Sequence, residues 1–153
     1  MSSFLAISLG LNTSNGTSGA LGDGTNTSSA TTPVQVSTLT SGVTALGVGY
    51  EASCAVKAGS AYCWGWNGYG QLGDATTTNR NAPVQVSTLT SGVTHISGGT
   101  YSACAIKNGG AFCCGYNANG QLGDNTTTQR TSPVAVTGLD SGVTQISTSY
   151  QQT

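Results

Sequence analysis

The side chains best suited to chemistry in this 153-residue chain are five cysteines, one histidine and five acids, set against four basic residues. Cys54 and Cys63 stand in a C-x8-C spacing, and Cys104 and Cys113 repeat it. Each pair straddles a two-residue turn sequence, Ala58-Gly59 in one case and Asn108-Gly109 in the other. Asn-Gly is among the strongest hairpin signals because both residues accept positive φ. Counting outward from each turn sets the two cysteines opposite one another at a non-hydrogen-bonded position, where Cα atoms approach most closely. That approach suits a disulfide; reduced core thiols are the alternative. A metal site is the weakest reading, since the spacing is wrong for zinc and His95 is the only histidine. Oxidised pairs imply an oxidising compartment, extracellular or at the cell surface; the sequence alone leaves the compartment unknown. Cys114 is left over, either as a small buried hydrophobe or as one half of an intermolecular bridge.

No catalytic constellation stands out, and the chain reads as non-enzymatic with no cofactor. His95 falls where repeat-equivalent positions hold Ala45 and Gln145, so it reads as a strand histidine and not as a member of a triad. Asp23, Asp74 and Asp124 each follow a Leu-Gly pair, and a local Asx turn accounts for them. Nothing marks a carboxylate pair for acid–base work. LGDGTNTSS lacks the alternating ligands of a calcium loop, and no Gly-rich stretch has the Lys-Ser/Thr ending of a phosphate cradle. A net charge of −1 supplies no footprint for nucleic acid, which requires clustered Lys and Arg. No apolar run approaches the roughly 18 residues of a membrane span. The N-terminal FLAISLGL aligns with the internal repeat, so it reads as part of the fold and not as a targeting segment.

The elements that must position these residues recur with a fixed period. Pro33, Pro83 and Pro133 are fifty apart, as are Gly42, Gly92 and Gly142. PVQVSTLTSGVT occurs at 33–44 and again at 83–94, and returns as PVAVTGLDSGVT at 133–144. A period of about fifty residues built from short strand-like pieces belongs to propeller blades and not to helical solenoids. One unit reads as four strands: 93–97, 103–107, 111–115, and a last strand opened by Pro133, which proline confines to a sheet edge. Cys104 and Ile106 share one hairpin face with Ala111 and Cys113, while Ala105, Phe112 and Cys114 share the other. Both faces are apolar, so the sheet must be covered on both sides. No window carries a helical period.

CAVKAGSAYCWGWNGYGQLGD followed by NRNAPVQV resembles the repeat of the regulator of chromosome condensation family, whose signature is G-x-N-x-x-G-Q-L-G with a downstream Pro-Val. Gly65-Trp66-Asn67 with Gly70-Gln71-Leu72-Gly73 matches it, as does Gly115-Tyr116-Asn117 with Gly120-Gln121-Leu122-Gly123. The first copy departs, because Gly10-Leu11-Asn12 lies further from Gly19-Ala20-Leu21-Gly22. The resemblance implies an all-β fold of four-stranded antiparallel blades from a seven-bladed propeller. The chain then reads as a single domain over 1–153, with units near 1–44, 45–94 and 95–144 and a further blade starting at 145–153. About three repeats make an incomplete ring. Open apolar faces are a liability, so the expected partners are a second copy of the chain or the rest of a larger propeller. Family members serve as nucleotide-exchange factors, as signalling scaffolds and as secreted β-lactamase inhibitors; no residue here carries over any one of those activities.

The leading functional expectation is therefore a protein-interaction module with an unknown protein ligand. Its candidate binding rim is Trp66, Tyr69 and Tyr116 with Asn79, Arg80 and Arg130. Each has a structural alternative: the aromatics pack between blades, and Arg80 and Arg130 pair with Asp74 and Asp124, six residues before them. Thr, Ser, Asn and Gly richness suggests a structural or adhesive surface repeat as the rival reading, or a lectin-like binder with aromatic platforms. Four Asn-x-Ser/Thr sequons, at Asn12, Asn15, Asn26 and Asn125, are weak signals in so Ser/Thr-rich a chain.

Overall fold

A computed structural model of the chain describes residues 18–27, 30 and 32–149. Among these residues there is no helix, and eight strands form two four-stranded antiparallel sheets. The first runs in chain order through β1 (Val43–Val48), β2 (Ala52–Lys57), β3 (Ser60–Gly65) and β4 (Arg80–Gln85). The second repeats it with β5 (Val93–Gly98), β6 (Ser102–Lys107), β7 (Gly110–Gly115) and β8 (Arg130–Ala135). These are the blades that the fifty-residue period implies.

The turns fix the register. Ala58 and Gly59 have φ of 51° and 75°, and Asn108 and Gly109 have 51° and 81°. Two consecutive positive φ values give the hairpin twist that matches its strands. Lys57 then faces Ser60, and Cys54 faces Cys63; in the second sheet Lys107 faces Gly110, and Cys104 faces Cys113. The paired cysteine Cα atoms lie 4.0 and 4.1 Å apart, with the sulfurs at bonding distance.

One boundary differs from the sequence reading. Pro133 does not open its strand: β8 starts three residues earlier, where Arg130 pairs with Gly115. Both proline strands, β4 and β8, are the outermost of their sheets. A residue without an N–H can sit inside an edge strand because one side of that strand has no ladder to feed.

The sheets stack face to face, and the core is what lies between them. Cys54, Val56, Ala61, Cys63 and Leu72 of the first unit meet Ala103, Ala105 and Cys114 of the second, with Phe112 packed alongside. The same arrangement occurs one step earlier, where Val36 and Leu39 meet Ala55 and Trp64. The first sheet thus buries residues on both of its faces, as its two apolar stripes require. The inner strands come closest: a Cβ on Gly47 would lie 2.9 Å from the Ser97 Cα. Past β8 the chain keeps this spacing. Thr148 donates its N–H to Ser97 Oγ at 3.0 Å, and the two hydroxyl oxygens lie 2.9 Å apart.

Candidate functional site

The loops that follow β3 and β7 carry the repeat signature, and one buried amide organises each. Asn67 is fully buried. Its Nδ2 donates to Asp74 Oδ1 at 3.0 Å and to the carbonyls of Thr76 and Thr78, each at 3.1 Å. Its Oδ1 accepts the Leu72 N–H at 3.0 Å. Asp74 also accepts the Thr76 hydroxyl at 2.7 Å and Arg80 Nε at 2.7 Å. Asn117, Asp124, Thr126 and Arg130 reproduce every one of these bonds. An irregular loop has backbone groups with no ladder partner, and burying them unpaired is costly; the Asn side chain satisfies several at once.

The carboxylates respond to this wiring. Burial pushes the Asp74 pKa up, but the bonds from Thr76 and Arg80 outweigh it and leave it below the ordinary value. The Thr126 hydroxyl, aided by Arg130 and Asn117 against some desolvation, lowers Asp124 to about 2. Arg80 and Arg130 are thereby committed to ion pairs with Asp74 and Asp124 at 2.7 and 2.8 Å. Asn79 accepts the Asn67 N–H at 2.9 Å.

The same loops lock neighbouring units together. Ala75 donates its N–H to the Thr131 carbonyl at 2.9 Å, as Gly24 does to Asn81 at 2.8 Å one unit earlier. A Cβ on Gly70 would lie 2.7 Å from the Thr131 Cα, so the loop needs glycine to let the next outer strand approach. Trp64 Nε1 donates to the Ala20 carbonyl at 3.1 Å, with its ring over Gly22. Cys114 takes the equivalent place, its Sγ 3.5 Å from the Gln71 carbonyl. Burial pushes its thiol up to about 12, so it sits there as a protonated hydrophobe.

Four rings meet where the loops converge. Tyr69 packs edge-on against Trp66 at 5.4 Å and against Tyr101 at 5.1 Å, and is tilted against Tyr116 at 4.9 Å. Trp66 and Tyr116 each follow a strand whose end is fixed by a bond to the preceding loop, from the Trp66 N–H to Glu51 O and from the Tyr116 N–H to Tyr101 O, both 2.8 Å. All four side chains are half-buried. Trp66 lies over Gly68, where a Cβ would strike its ring. The opposite end of the sheets carries the tight turns, the loops 86–92 and 136–142 that follow the outer strands, and Lys57 and Lys107, which donate to the carbonyls of Thr38 and Thr88 at 2.9 and 2.6 Å. Among the described residues no three His, Cys, Asp or Glu side chains converge as a metal site would need, and no helix is long and apolar enough to cross a membrane.

The family model described as the regulator of chromosome condensation (RCC1) repeat matches residues 58–106 and 108–153, more than half of the chain. The chain belongs to the RCC1 repeat family. Among solved structures it is similar to yeast RCC1 (Prp20) in its complex with Kap60, with a TM-score of 0.68 at 15% identity over 89% of this chain and 35% of that one. It is also similar to human WBSCR16, with a TM-score of 0.64 at 21% identity over 79% of this chain and 33% of that one. The chain thus spans about a third of the length of these relatives. No curated protein matches it.

Of the six rim residues named from the sequence, the structure gathers Trp66, Tyr69 and Tyr116 into one cluster, while Asn79, Arg80 and Arg130 hold their own loops. The fourth ring, Tyr101, was missed by the sequence reading. Its repeat counterpart is Glu51 and it lies outside the RCC1 signature, so neither period nor motif points to it. His95 is exposed on β5, its Nδ1 3.1 Å from the Thr94 hydroxyl.

Proposed function

We propose that this RCC1-repeat chain is a non-enzymatic protein-interaction module whose loop rim takes a protein partner at the cluster of Trp66, Tyr69, Tyr101 and Tyr116. The observation that carries the reading is the gathering of four half-exposed rings at one end of two adjacent blades. Aromatic side chains combine large apolar area with a polar tip, and they dominate binding energy at protein interfaces. The loops beneath are already ordered by Asn67 and Asn117, so binding need not pay again for fixing them. With so few charges, recognition here rests on ring packing and hydrogen bonding more than on electrostatic steering. The complex of yeast RCC1 with Kap60 supports the idea that a protein built on such repeats takes protein partners. Laterally, the blades are completed by copies of the chain or by further blades of a larger propeller.

The test compares wild type with a Tyr69→Ser, Tyr116→Ser double variant as bait in extract of the source cells. The expected result is a stoichiometric protein partner that wild type retains and the variant loses, with melting temperatures within a few degrees of each other. Equal recovery by both would overturn the rim as the binding site.

A further inference from the structure

We infer that the rim cluster takes a cationic segment of its protein partner, with an arginine laid against the rings of Trp66, Tyr69, Tyr101 and Tyr116. This rests on reading that cluster as the binding rim, and it names the chemistry of what binds there.

The rings at the centre of the cluster are not demanded by the fold. Tyr69 donates its N–H to Gln71 Oε1 at 3.0 Å, and its repeat counterpart Asn119 makes the same bond to Gln121 Oε1 at 2.9 Å without a ring. Tyr101 accepts the Tyr116 N–H through its carbonyl at 2.8 Å, as its counterpart Glu51 accepts that of Trp66 at 2.8 Å. Both loops therefore reach the same geometry with no aromatic at either position. Yet Tyr69 and Tyr101 lie 5.1 Å apart, and each packs against both Trp66 and Tyr116. What these two rings add is the surface itself.

Charge is sorted between the two ends of the blades. The loop end holds Asp23, Glu51, Asp74 and Asp124 against Arg80 and Arg130, a net −2. The turn end holds Lys57 and Lys107 against Asp140, a net +1, and the two ends make up the chain's −1. Both loop-end arginines are already held by carboxylates, Arg80 by Asp74 at 2.7 Å and Arg130 by Asp124 at 2.8 Å. An incoming cation therefore meets an acidic end whose own arginines are engaged. A guanidinium is the group that uses this surface most fully. It stacks on the faces of Trp and Tyr, and its N–H groups donate to tyrosine hydroxyls and to a carboxylate such as Glu51. An acidic segment is repelled from this end, and a purely apolar one offers the tyrosine hydroxyls nothing to bond.

Fluorescence titration of the full chain tests this, because of its two tryptophans Trp64 is fully buried and Trp66 lies in the cluster. The probes are capped oligoarginine, oligoglutamate and oligoproline peptides of equal length. Oligoarginine is expected to change Trp66 emission saturably, and the other two to leave it unaltered. The Tyr69→Ser, Tyr116→Ser double variant is expected to bind oligoarginine about tenfold more weakly, since each lost ring face held part of the cation. Glu51→Gln is expected to weaken binding about threefold and to flatten its salt dependence. Circular dichroism and melting temperature confirm that both variants fold. No saturable response to oligoarginine, a response to oligoproline in its place, or undiminished binding by the double variant would each overturn the inference. The rim itself is judged separately. A partner that wild type retains from extract, that the double variant loses and that oligoarginine fails to displace would keep the rim and overturn the cationic segment.

Discussion

A loop that leaves a β-strand and returns fifteen residues later has more backbone groups than ladder partners, and in each RCC1 repeat here one asparagine settles the difference. Asn67 must donate through Nδ2 and accept through Oδ1, so no other side chain of its size fills the role. Asn67→Asp keeps the shape, turns the donor into an acceptor and sets a second carboxylate against Asp74. We expect it to destabilise by about 3 kcal/mol or more, at least as much as Asn67→Ala, as read by chemical denaturation. The acids make a second prediction. Their folded pKa values lie below the ordinary carboxylate value, so the stability they contribute is fully present above about pH 4. It is lost as pH falls through the folded values, down to about 2 for Asp124. Melting temperature is therefore expected to hold between pH 7 and 5 and to fall below 4, with a shallower acid limb in Asp124→Asn. At this scale the sequence was half legible. The signature marked Asn67 as fixed, and the Asx turns at Asp74 and Asp124 follow from residue type. Which carbonyls the amide would reach depends on the loop's path, and spacing does not encode it.

The hairpin is the element read most completely, because turn chemistry sets register and register sets everything across the strand. Ala58-Gly59 and Asn108-Gly109 place each cysteine against its partner, and the alternating faces follow. Each bridge closes a short loop, with partners nine residues apart. Chain entropy for such a loop predicts about 2–3 kcal/mol per bridge. Reduction should therefore lower the denaturation midpoint without abolishing the sheets, and Cys54→Ser with Cys63→Ser should reproduce half of the shift. The outer strand was less legible. Proline in the sequence marks an edge but not a beginning, and β8 starts at Arg130 because Gly115 bends to receive it. Exposed aromatics were legible only where the repeat names them. Tyr101 joins the cluster through a loop whose copy carries Glu51, and only the stacking of two blades brings it beside Tyr69.

Across the whole molecule, the sheets are laterally locked propeller blades, the glycine loop of one presented to the outer strand of the next. Sequence periodicity implies the blades and the number of repeats, but not which surface of one meets which of another. Those contacts are made across separations of about one repeat, between residues with no local signature. Two repeat-equivalent glutamines differ most plainly in this respect, since Gln71 is buried beneath the following blade and Gln121 is exposed. The decisive measurement is guanidinium denaturation of Gln71→Arg and Gln121→Arg. The same charge enters the same loop in both. Gln71→Arg is expected to lose about 3 kcal/mol or more, from a guanidinium forced into a closed interface, while Gln121→Arg stays within about 0.5 kcal/mol of wild type. Equal effects at the two positions would contradict it, because the two loops would then share one environment and the blades would not be locked in series.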